Sequence, residues 1–400
     1  MRLLDGGLEL TERQRLVRGS IRDVCAAFND DYWRECAREG EYPHAFVDRL
    51  ADDGWLGILV PERYGGAGMG TREAVVMFEE IAASGGGFAA AQAVHGAVYN
   101  SVPLAAYGTE WMRETLLPRV ADGETSIQAF CLTEPNAGSD STAMETRAER
   151  TDDGWVVNGT KVWTSRLDVS DYAVLVARTT PREDVEKRTR GISMFLVDVA
   201  DAVDSGGLSY EPIEKGVTEF VHSYTVHLDD LHLPESALVG TEGEGFYQVL
   251  DGLNEERLVI AAECLGLGAL ALERGVQYAG EREVFGGPIG ANQAVQHPLA
   301  AAFARLQAAR HLVYGAARAV SGGEDLDAGA YANAAKYLAA EAAFEAADAA
   351  VQTHGGYGVA TEYDVERYFR EARLARLVPI TQELALNYLG ERVLGLPRSY

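Results

Sequence analysis

Two short stretches near the middle of the chain carry side chains that could bind a planar, polar ligand. "CLTEPNAGSD" (131–140) concentrates hydroxyls and turn formers directly after "SIQAF", which predicts a strand. Such a strand end exposes backbone N–H groups and hydroxyls, which suit the edge of a heteroaromatic ring or a phosphate. "KVWTS" (161–165) places an indole beside two hydroxyls, so it could cover one ring face and bond the ring edge. The alternative is structural: Trp163 belongs to the core and the hydroxyls stabilise turns.

A third stretch, "LNEERLVIAA" (253–262), could supply a base. Apolar residues recur at steps of three and four from 246 to 267, which predicts a buried helix face. Arg257 falls in that series and Glu256 lies on its flank. Burial without full pairing raises the pKa of a carboxylate and makes it a stronger base. The alternative is an ion pair between helices. Neighbouring residues on a helix do not face each other, so each charge is expected to have its own partner.

Glycine-rich stretches do not predict a nicotinamide site. "YGGAGMG" (64–70) lacks the G-x-G-x-x-G spacing into a helix and lies in no βαβ unit. "GEGF" (243–246) opens a helix but also falls short of the motif. A dinucleotide-binding Rossmann domain is therefore not expected.

Composition predicts a globular chain with two or three packed regions. It has 400 residues, of which 47% are hydrophobic and 24% charged. The formal charge of −26 disfavours nucleic-acid binding, which depends on cationic contacts to phosphates. The scattered histidines and four cysteines have no metal-site or disulfide spacing, so we expect no metal and a reducing, cytoplasmic compartment. No apolar run approaches the roughly 20 residues of a membrane helix, and the N-terminus lacks a secretory h-region.

The periodicity along the chain predicts an α+β multidomain fold. Residues 1–125 are predicted to form an N-terminal helical domain, 126–238 a central antiparallel β-barrel or sandwich, and 239–400 a C-terminal four-helix bundle. Asn158-Gly159 between β-rich runs predicts a hairpin turn. The long C-terminal helices are predicted at 246–280, 291–321, 327–353 and 379–394. The third is rich in alanine, so its neighbours can approach closely.

Six separated motifs, taken in order, resemble the acyl-CoA dehydrogenase family of flavoproteins over nearly the whole chain. They are "PERYGGAG", "CLTEPNAGSD", "GTKVWTS", the "ER" pair at 256–257, "EREVFGGPIGANQ" and "QTHGGYG". The family fold is a helical domain, a β domain and a four-helix bundle, which agrees with the pattern of periodicities.

The resemblance implies that FAD binds between the β domain and the bundle. The residues implied near the isoalloxazine ring are Phe130, Leu132, Thr133, Gly138, Ser139, Trp163, Thr164 and Ser165. Trp163 would cover one flavin face, while Thr164 and Ser165 would bond the ring edge. Ser139 would also lie near the acyl-CoA. Thr381 and Glu383 match further flavin-contacting positions.

The resemblance also implies that a second subunit completes each FAD site. The residues that would meet the adenosine diphosphate half are Arg282, Phe285, Gln293, Gln352, Gly355 and Gly356. Paired glycines allow backbone to approach a phosphate closely. A homodimer or homotetramer is therefore expected.

The implied reaction of lipid metabolism converts an acyl-CoA thioester to the trans-2-enoyl-CoA. A proton leaves the α-carbon, a hydride passes from the β-carbon to the flavin, and electrons go on to an electron-transferring flavoprotein. Glu256 matches the base that isovaleryl- and long-chain-type members carry on a bundle helix. Arg257 is the usual companion, and Asn254 would lie near the substrate.

Pro379 departs from the commonest family pattern, because most members carry the base in the matching C-terminal stretch. In the family the backbone N–H at this place bonds the thioester oxygen, and proline has no N–H. Either another donor substitutes, or the register is shifted by one residue, or the chemistry differs. The last option leaves two alternatives: a flavin oxidase or monooxygenase on the same fold, and an inactive flavin-bearing scaffold.

Overall fold

The computed structural model follows the helical, β, helical order predicted from the sequence, and the predicted fold class is confirmed. The domain boundaries after residues 125 and 238 stay predictions, and the outer limits at residues 1 and 400 lie outside the described residues. The structure describes Leu3, residues 5–322 and residues 327–398.

The N-terminal region is built from short helices around one apolar core. Thr11 caps the first helix in a capping box: its hydroxyl accepts the N–H of Gln14, whose side chain accepts the N–H of Thr11. The helices Thr71–Ala82 and Gly87–Tyr99 pack directly on the long helix Leu253–Glu281 of the C-terminal region. The helices are α1 (Glu12–Ala26), α2 (Asp30–Glu39), α3 (His44–Asp52), α4 (Thr71–Ala82), α5 (Gly87–Tyr99), α6 (Ser101–Tyr107) and α7 (Leu117–Ala121), the last preceded by a π-helical turn (Met112–Leu116).

The central region forms an eight-stranded sheet within the described part of the chain. Its strands are β1 (Ala129–Cys131), β2 (Arg147–Thr151), β3 (Gly154–Ser165), β4 (Tyr172–Arg178), β5 (Ile192–Asp198), β6 (Leu208–Pro212), β7 (Ser223–Pro234) and β8 (Leu238–Val239), with helix α8 (Val199–Asp204) after β5. The order is β6-β7-β3-β2-β4-β5-β8. Pairing is mostly antiparallel, but β1 runs parallel to β4.

The hairpin predicted at Asn158-Gly159 is wrong, because both residues lie inside the continuous strand β3. The pairing of β3 with β7 shifts register there, and the Asn158 amide exchanges hydrogen bonds with Asp230 on β7. Gly159 has φ of 154°, and a Cβ would lie 2.4 Å from the Thr146 hydroxyl. Asn-Gly therefore marks a β-bulge here, a feature that uses the same backbone freedom as a tight turn.

The C-terminal region is a bundle of long helices. Its elements are α9 (Gly245–Asp251), α10 (Leu253–Glu281), the hairpin strands β9 (Glu283–Val284) and β10 (Gly287–Pro288), α11 (Gln293–Val320), α12 (Ala328–His354), α13 (Val365–Ala375) and α14 (Gln382–Tyr388), the last followed by a π-helical turn (Leu389–Val393).

Two details of the bundle differ from the predicted helices. The segment predicted at 246–280 breaks between α9 and α10, and α13 was not predicted. The close approach expected of the alanine-rich helix is confirmed: a Cβ on Gly268 of α10 would lie 3.0 Å from the Cα of Ala343 on α12. None of the helices that the structure describes is long and apolar enough to cross a membrane.

Candidate active site

A buried ion pair fixes the loop that follows β1. The Glu134 carboxylate accepts the backbone N–H groups of Glu145 and Thr146, at 2.6 and 3.0 Å. Lys161, on β3, donates to the same carboxylate at 2.7 Å and to the Leu132 carbonyl at 3.1 Å. Burial lowers the pKa of Lys161 and opposes its charge, and the Glu134 carboxylate acts against this effect. The loop and the strand are thus joined by charge-assisted hydrogen bonds away from water.

Trp163 projects from the sheet at an irregularity in β3. The Val162 N–H donates to the Thr133 carbonyl at 2.9 Å, so loop and strand stay adjacent up to the tryptophan. The pairing with β7 shifts register between Lys161 and Thr164, and Trp163 has φ of 59°. The Trp163 side chain is 57% exposed, so the alternative that it belongs to the core is wrong. An exposed indole on a bulge is available to stack on a planar ligand.

The two hydroxyls after Trp163 have different surroundings. Thr164 is buried beside the Cys131 thiol and has no strong hydrogen-bond partner among the described residues. Ser165 is half-buried, with its Oγ 2.9 Å from the Oγ of Ser223. Burial raises the pKa of Cys131 to about 11. A ring lying outside the sheet could therefore meet the Ser165 side chain, but Thr164 only through its backbone.

The other residues predicted to line the ring lie around the same loop. Phe130, Leu132 and Thr133 are half-buried, while Gly138 and Ser139 are exposed. A Cβ on Gly138 would meet no atom within 4 Å. This side of the loop is therefore open to a ligand.

Glu256 lies in the first turn of α10 and faces α5. The Nε2 of His95 is 3.8 Å from the Oε1 of Glu256, a charge contact longer than a hydrogen bond. Beside it Gly252 lies against Tyr99, and a Cβ there would be 2.8 Å from the Tyr99 hydroxyl oxygen. The Glu256 side chain is 20% exposed. The carboxylate is thus largely shielded from water yet still open to a small reacting group.

Of the two charges next to Glu256, Arg257 has a side-chain partner of its own, as expected for neighbours on a helix, whereas in the described part of the chain Glu255 lacks one for a buried oxygen. Arg257 donates to the Asn254 Oδ1 at 2.8 Å, and burial lowers the pKa of Arg257. Burial raises the pKa of Glu255, and one oxygen of that carboxylate is buried with no hydrogen-bond partner among the described residues. Asn254 and Arg257, which the resemblance implies near the substrate, are thus in contact with each other in the first turns of α10.

His95 lies between two carboxylates of α10. Its Nδ1 is 2.8 Å from the Oε1 of Glu263, whose other oxygen accepts the Gln92 amide at 2.6 Å. Burial acts to lower the pKa of His95, but the nearby carboxylates of Glu263 and Glu256 outweigh it and raise the pKa to about 9. Since Glu256 and Glu263 are seven residues apart, two helical turns place them on one face.

Arg166 connects this cluster to the tryptophan strand. It follows Ser165 directly, and its guanidinium donates to the Gln92 carbonyl at 2.8 Å. Burial lowers the pKa of Arg166, while nearby acidic groups, including Glu263 and Glu256, act to raise it. The β3 end and the α10 face are therefore held together through α5.

The far end of α10 meets the end of α12. The ring of Tyr278 stacks on His354 with 4.2 Å between centroids. Arg282 follows α10, Gln352 lies in the last turn of α12, and all the predicted adenosine-site residues are exposed: Arg282, Phe285, Gln293, Gln352, Gly355 and Gly356. Gly355 has φ of 61°, and no atom would lie within 4 Å of a Cβ on Gly355 or Gly356. The structure thus brings two separate motifs to one open surface.

Phe285 stands at the tip of the β9–β10 hairpin. It has φ of 52°, and its side chain is fully exposed. An isolated chain gains no hydrophobic stabilisation from such a residue. The hairpin tip is therefore suited to a contact outside this chain.

The C-terminal segment before α14 is tied to the bundle core. The buried Lys336 of α12 donates to the Ile380 carbonyl at 2.8 Å, and Thr381 caps α14 by accepting the Leu384 N–H. Glu383 is exposed in the first turn of α14. Pro379 is exposed, and its peptide bond with Val378 is cis. The chain therefore has neither a carboxylate nor a backbone N–H at position 379.

Sequence reasoning missed the residues that surround the proposed base. They are Gln92, His95, Tyr99, Arg166 and Glu263. A single acid inside the apolar run "VIAAECLGLGAL" and a single histidine inside "AAAQAVHGAV" were the available signals. Each is a polar residue expected to need a buried partner. Within the described ranges, no three histidine, cysteine or acidic side chains converge in a way that could hold a metal ion.

Comparison with known proteins assigns the family. The acyl-CoA dehydrogenase N-terminal, middle and C-terminal domains match residues 11–124, 129–231 and 243–394. Acyl-CoA dehydrogenase FadE12 of Mycobacterium tuberculosis is 38% identical over 393 residues, covering 98% of each chain. The caffeyl-CoA reductase-Etf complex subunit CarC of Acetobacterium woodii is 32% identical, covering 94% of this chain and 96% of its own. A glutaryl-coenzyme A dehydrogenase solved with glutaryl-CoA is 28% identical, with a TM-score of 0.90 and 98% of each chain covered.

The residues in place fit FAD. An exposed indole on a bulge can cover a flavin face, and the open glycines after α12 leave room for backbone contact with a phosphate. The motifs, the fold and the relatives agree: the chain belongs to the acyl-CoA dehydrogenase family and is an FAD-dependent flavoprotein oxidoreductase that acts on acyl-CoA.

Proposed function

We propose that this protein oxidises an acyl-CoA thioester between its α- and β-carbons to the trans-2-enoyl-CoA, with Glu256 as the base. The observation that carries the proposal is the Glu256 carboxylate, four-fifths shielded from water at the start of α10 and facing a histidine. Proton abstraction requires such a group within reach of the α-carbon. When bound, FAD accepts the hydride that leaves the β-carbon.

The flavin-binding residues follow from the exposed tryptophan and its loop. Trp163 covers one face of the ring, and Ser165 and the Thr164 backbone bond its edge. The rest of the ring site consists of Phe130, Leu132, Thr133, Gly138, Ser139, Thr381 and Glu383. The ion pair of Lys161 and Glu134 supports this assignment, because it fixes the loop against β3.

The substrate-binding residues are Asn254, Arg257 and Ser139. The hydrogen bond between Arg257 and Asn254 supports this assignment, since it orients two polar side chains in the helical turns that carry Glu256. Pro379 offers no N–H to the thioester oxygen, so the donor to that oxygen comes from elsewhere in the site.

Reduction by a panel of acyl-CoAs tests the proposal. The purified flavoprotein is mixed anaerobically with straight, branched, aromatic and dicarboxylic acyl-CoAs, and flavin absorbance is followed. Bleaching by at least one thioester, with formation of its trans-2-enoyl product, is expected. No bleaching with any of them would contradict the proposal and favour a flavin-bearing scaffold, an alternative motivated by Pro379.

Electrons are proposed to pass to an electron-transferring flavoprotein. Support comes from CarC, whose name places it in a complex with Etf. The reduced protein is expected to reoxidise faster with such a flavoprotein than with air. Fast reoxidation by air with formation of peroxide would instead favour an oxidase or monooxygenase.

A second copy of the chain is proposed to complete the FAD site, as a homodimer or homotetramer. Phe285→Ala is expected to weaken FAD binding about tenfold or more, because losing one buried aromatic side chain costs about 1.5–3 kcal/mol. Flavin retention on ultrafiltration and sedimentation velocity measure the effect. Leu16→Ala, a change at another exposed apolar residue, is the control. Unchanged flavin retention and assembly in the Phe285 variant would contradict the shared site.

We propose that the protein works in the cytoplasm. Cys36, Cys131 and Cys264 are buried as free thiols, which suits a reducing compartment. Fractionation of producing cells tests this, and recovery of the protein outside the cytoplasmic fraction would contradict it.

A further inference from the structure

The Glu256 carboxylate belongs to a compact cluster of charges that joins three elements. His95 of α5 contacts Glu256 at 3.8 Å through Nε2 and Glu263 at 2.8 Å through Nδ1. Arg166, directly after β3, donates a hydrogen bond to the Gln92 carbonyl of α5. One imidazole thus lies between two acids of a single helix face.

The groups packed around His95 limit the protonation states that its ring can adopt. Its ring packs near Phe78 of α4 and stacks with Tyr99 of its own helix, with ring centroids 5.7 and 5.8 Å apart. Burial raises the pKa of Tyr99 well above its ordinary value, so this phenol stays neutral. Among the residues that the structure describes, the polar or titratable groups around the ring include Glu256 and Glu263 of α10, Gln92 and Tyr99 of α5, and Arg166, with Arg257 of α10 next to Glu256.

As an imidazolium, His95 presents an N–H to a carboxylate through each of its two ring nitrogens. The other cations near these acids have further partners: Arg166 also interacts with Asp168, and Arg257 donates to Asn254. A neutral imidazole carries only one N–H, so its other nitrogen would turn a lone pair towards a carboxylate in a largely buried place, which is unfavourable.

We propose that His95, held as an imidazolium by Glu263, is a positioning residue that keeps the Glu256 carboxylate ionised and aimed before it takes the substrate proton. The inference rests on the proposed function, since it gives Glu256 the role of base. In the reaction the proton leaves the α-carbon and moves to Glu256, while His95 keeps its own proton on both sides of the step.

His95→Gln tests the proposal through the pH dependence of bleaching. The substitution removes the positive charge beside Glu256. The acid limb of the rate–pH profile is expected to move up by about one pH unit or more, because the nearby positive charge that favours the ionised form of the base is lost. About one pH unit below the midpoint of the shifted limb, the rate of the variant is expected to be about tenfold lower than its own plateau rate. A limb that coincides with that of the wild type would overturn the proposal.

A matched control tests whether replacing any histidine beside a glutamate moves the acid limb. His227 lies on β7 with its Nε2 also 3.8 Å from a glutamate oxygen, that of Glu211, but both side chains are exposed. Solvent screens such a pair. His227→Gln is therefore expected to leave the acid limb in place. A purely structural role of His95 would lower flavin content or yield without moving the limb.

Selective ¹³C labelling of histidine gives a readout that needs no catalysis. The chain has eight histidines, so His95→Gln identifies the His95 signal by its loss. In the wild type this signal is expected to titrate with a pKa of about 9. In Glu263→Gln, which keeps the hydrogen-bonding shape but removes the charge, the titration moves down towards 6.5. Titration of the wild-type signal near 6.5 would overturn the proposal even where His95→Gln fails to fold.

Different results would contradict the assignment of Glu256 as base and the positioning role of His95. If Glu256→Gln bleaches as fast as the wild type, the base assignment is wrong, and with it the positioning role, whatever the NMR result. If Glu256→Gln is slow but His95→Gln keeps the wild-type acid limb, only the role of His95 is wrong. Thermal unfolding adds a check: the stability from the raised His95 pKa is fully present below about 6.5 and is lost as pH rises through about 9.

Discussion

Glu256→Gln is expected to slow the bleaching of the flavin by acyl-CoA about 10²–10⁴-fold, the usual contribution of a positioned general base. Glutamine keeps the size and hydrogen-bonding shape of the side chain but cannot accept the α-proton. Because glutamine fills the same space beside His95 at the start of α10, FAD content is expected to stay close to the wild type. Single-turnover absorbance under anaerobic conditions measures the rate.

Glu255→Gln is the matched control for this prediction. Glu255 occupies the same helical turn, and burial raises its pKa as expected for a base. Its position one residue earlier turns it about 100° around the helix, away from the His95 face. Wild-type bleaching in this variant is expected. Loss of bleaching in Glu255→Gln with retention in Glu256→Gln would mean that the base assignment is one residue out of register.

Lys161→Met is expected to destabilise the β region by about 3–5 kcal/mol, because it leaves the Glu134 carboxylate buried without its cation. The loop would also lose the bond from Lys161 to the Leu132 carbonyl, so FAD retention should fall together with stability. Chemical unfolding monitored by tryptophan fluorescence, with flavin content measured in parallel, checks both effects.

The double variant Glu134→Gln, Lys161→Met tests the origin of that loss. Removing both charges leaves no unpaired buried ion, so the double change is expected to cost less than the sum of the two single changes. Arg38→Ala breaks an ion pair in which both partners are exposed, and it should leave the unfolding midpoint unchanged. Strict additivity of the two single changes would indicate that the pair is not coupled.

Much of the fold was predictable because periodicity changes along the chain from helical to alternating and back. The prediction failed where one local sequence is compatible with two structures. Asn158-Gly159 suits both a hairpin turn and a bulge, and only the pairing of Asn158 with Asp230 decides between them. The α13 helix was missed, although Val365, Tyr368 and Ala372 of one face are buried. Its short apolar stripe is broken by Arg367 and Arg370, which pair with more distant parts of the chain.

The candidate site was predictable only in part. Motif resemblance predicted roles for Trp163 and Glu256, and in the structure the tryptophan is exposed and the carboxylate largely shielded; their roles stay predictions. The partner of the carboxylate was not predictable, because His95 and Glu263 are 168 positions apart in sequence. A single sequence marks each as an isolated polar residue, and the packing of α5 on α10 is needed to pair them.

The length of α10 links two distant parts of the molecule. Its 29 residues form one unbroken helix about 43 Å long, at 1.5 Å per residue. Glu256 occupies one end, and the surface proposed to face a neighbouring subunit begins just beyond the other. Any insertion or deletion between them would turn one end by about 100° per residue relative to the other. Changes of chain length in this helix are therefore constrained from both ends at once.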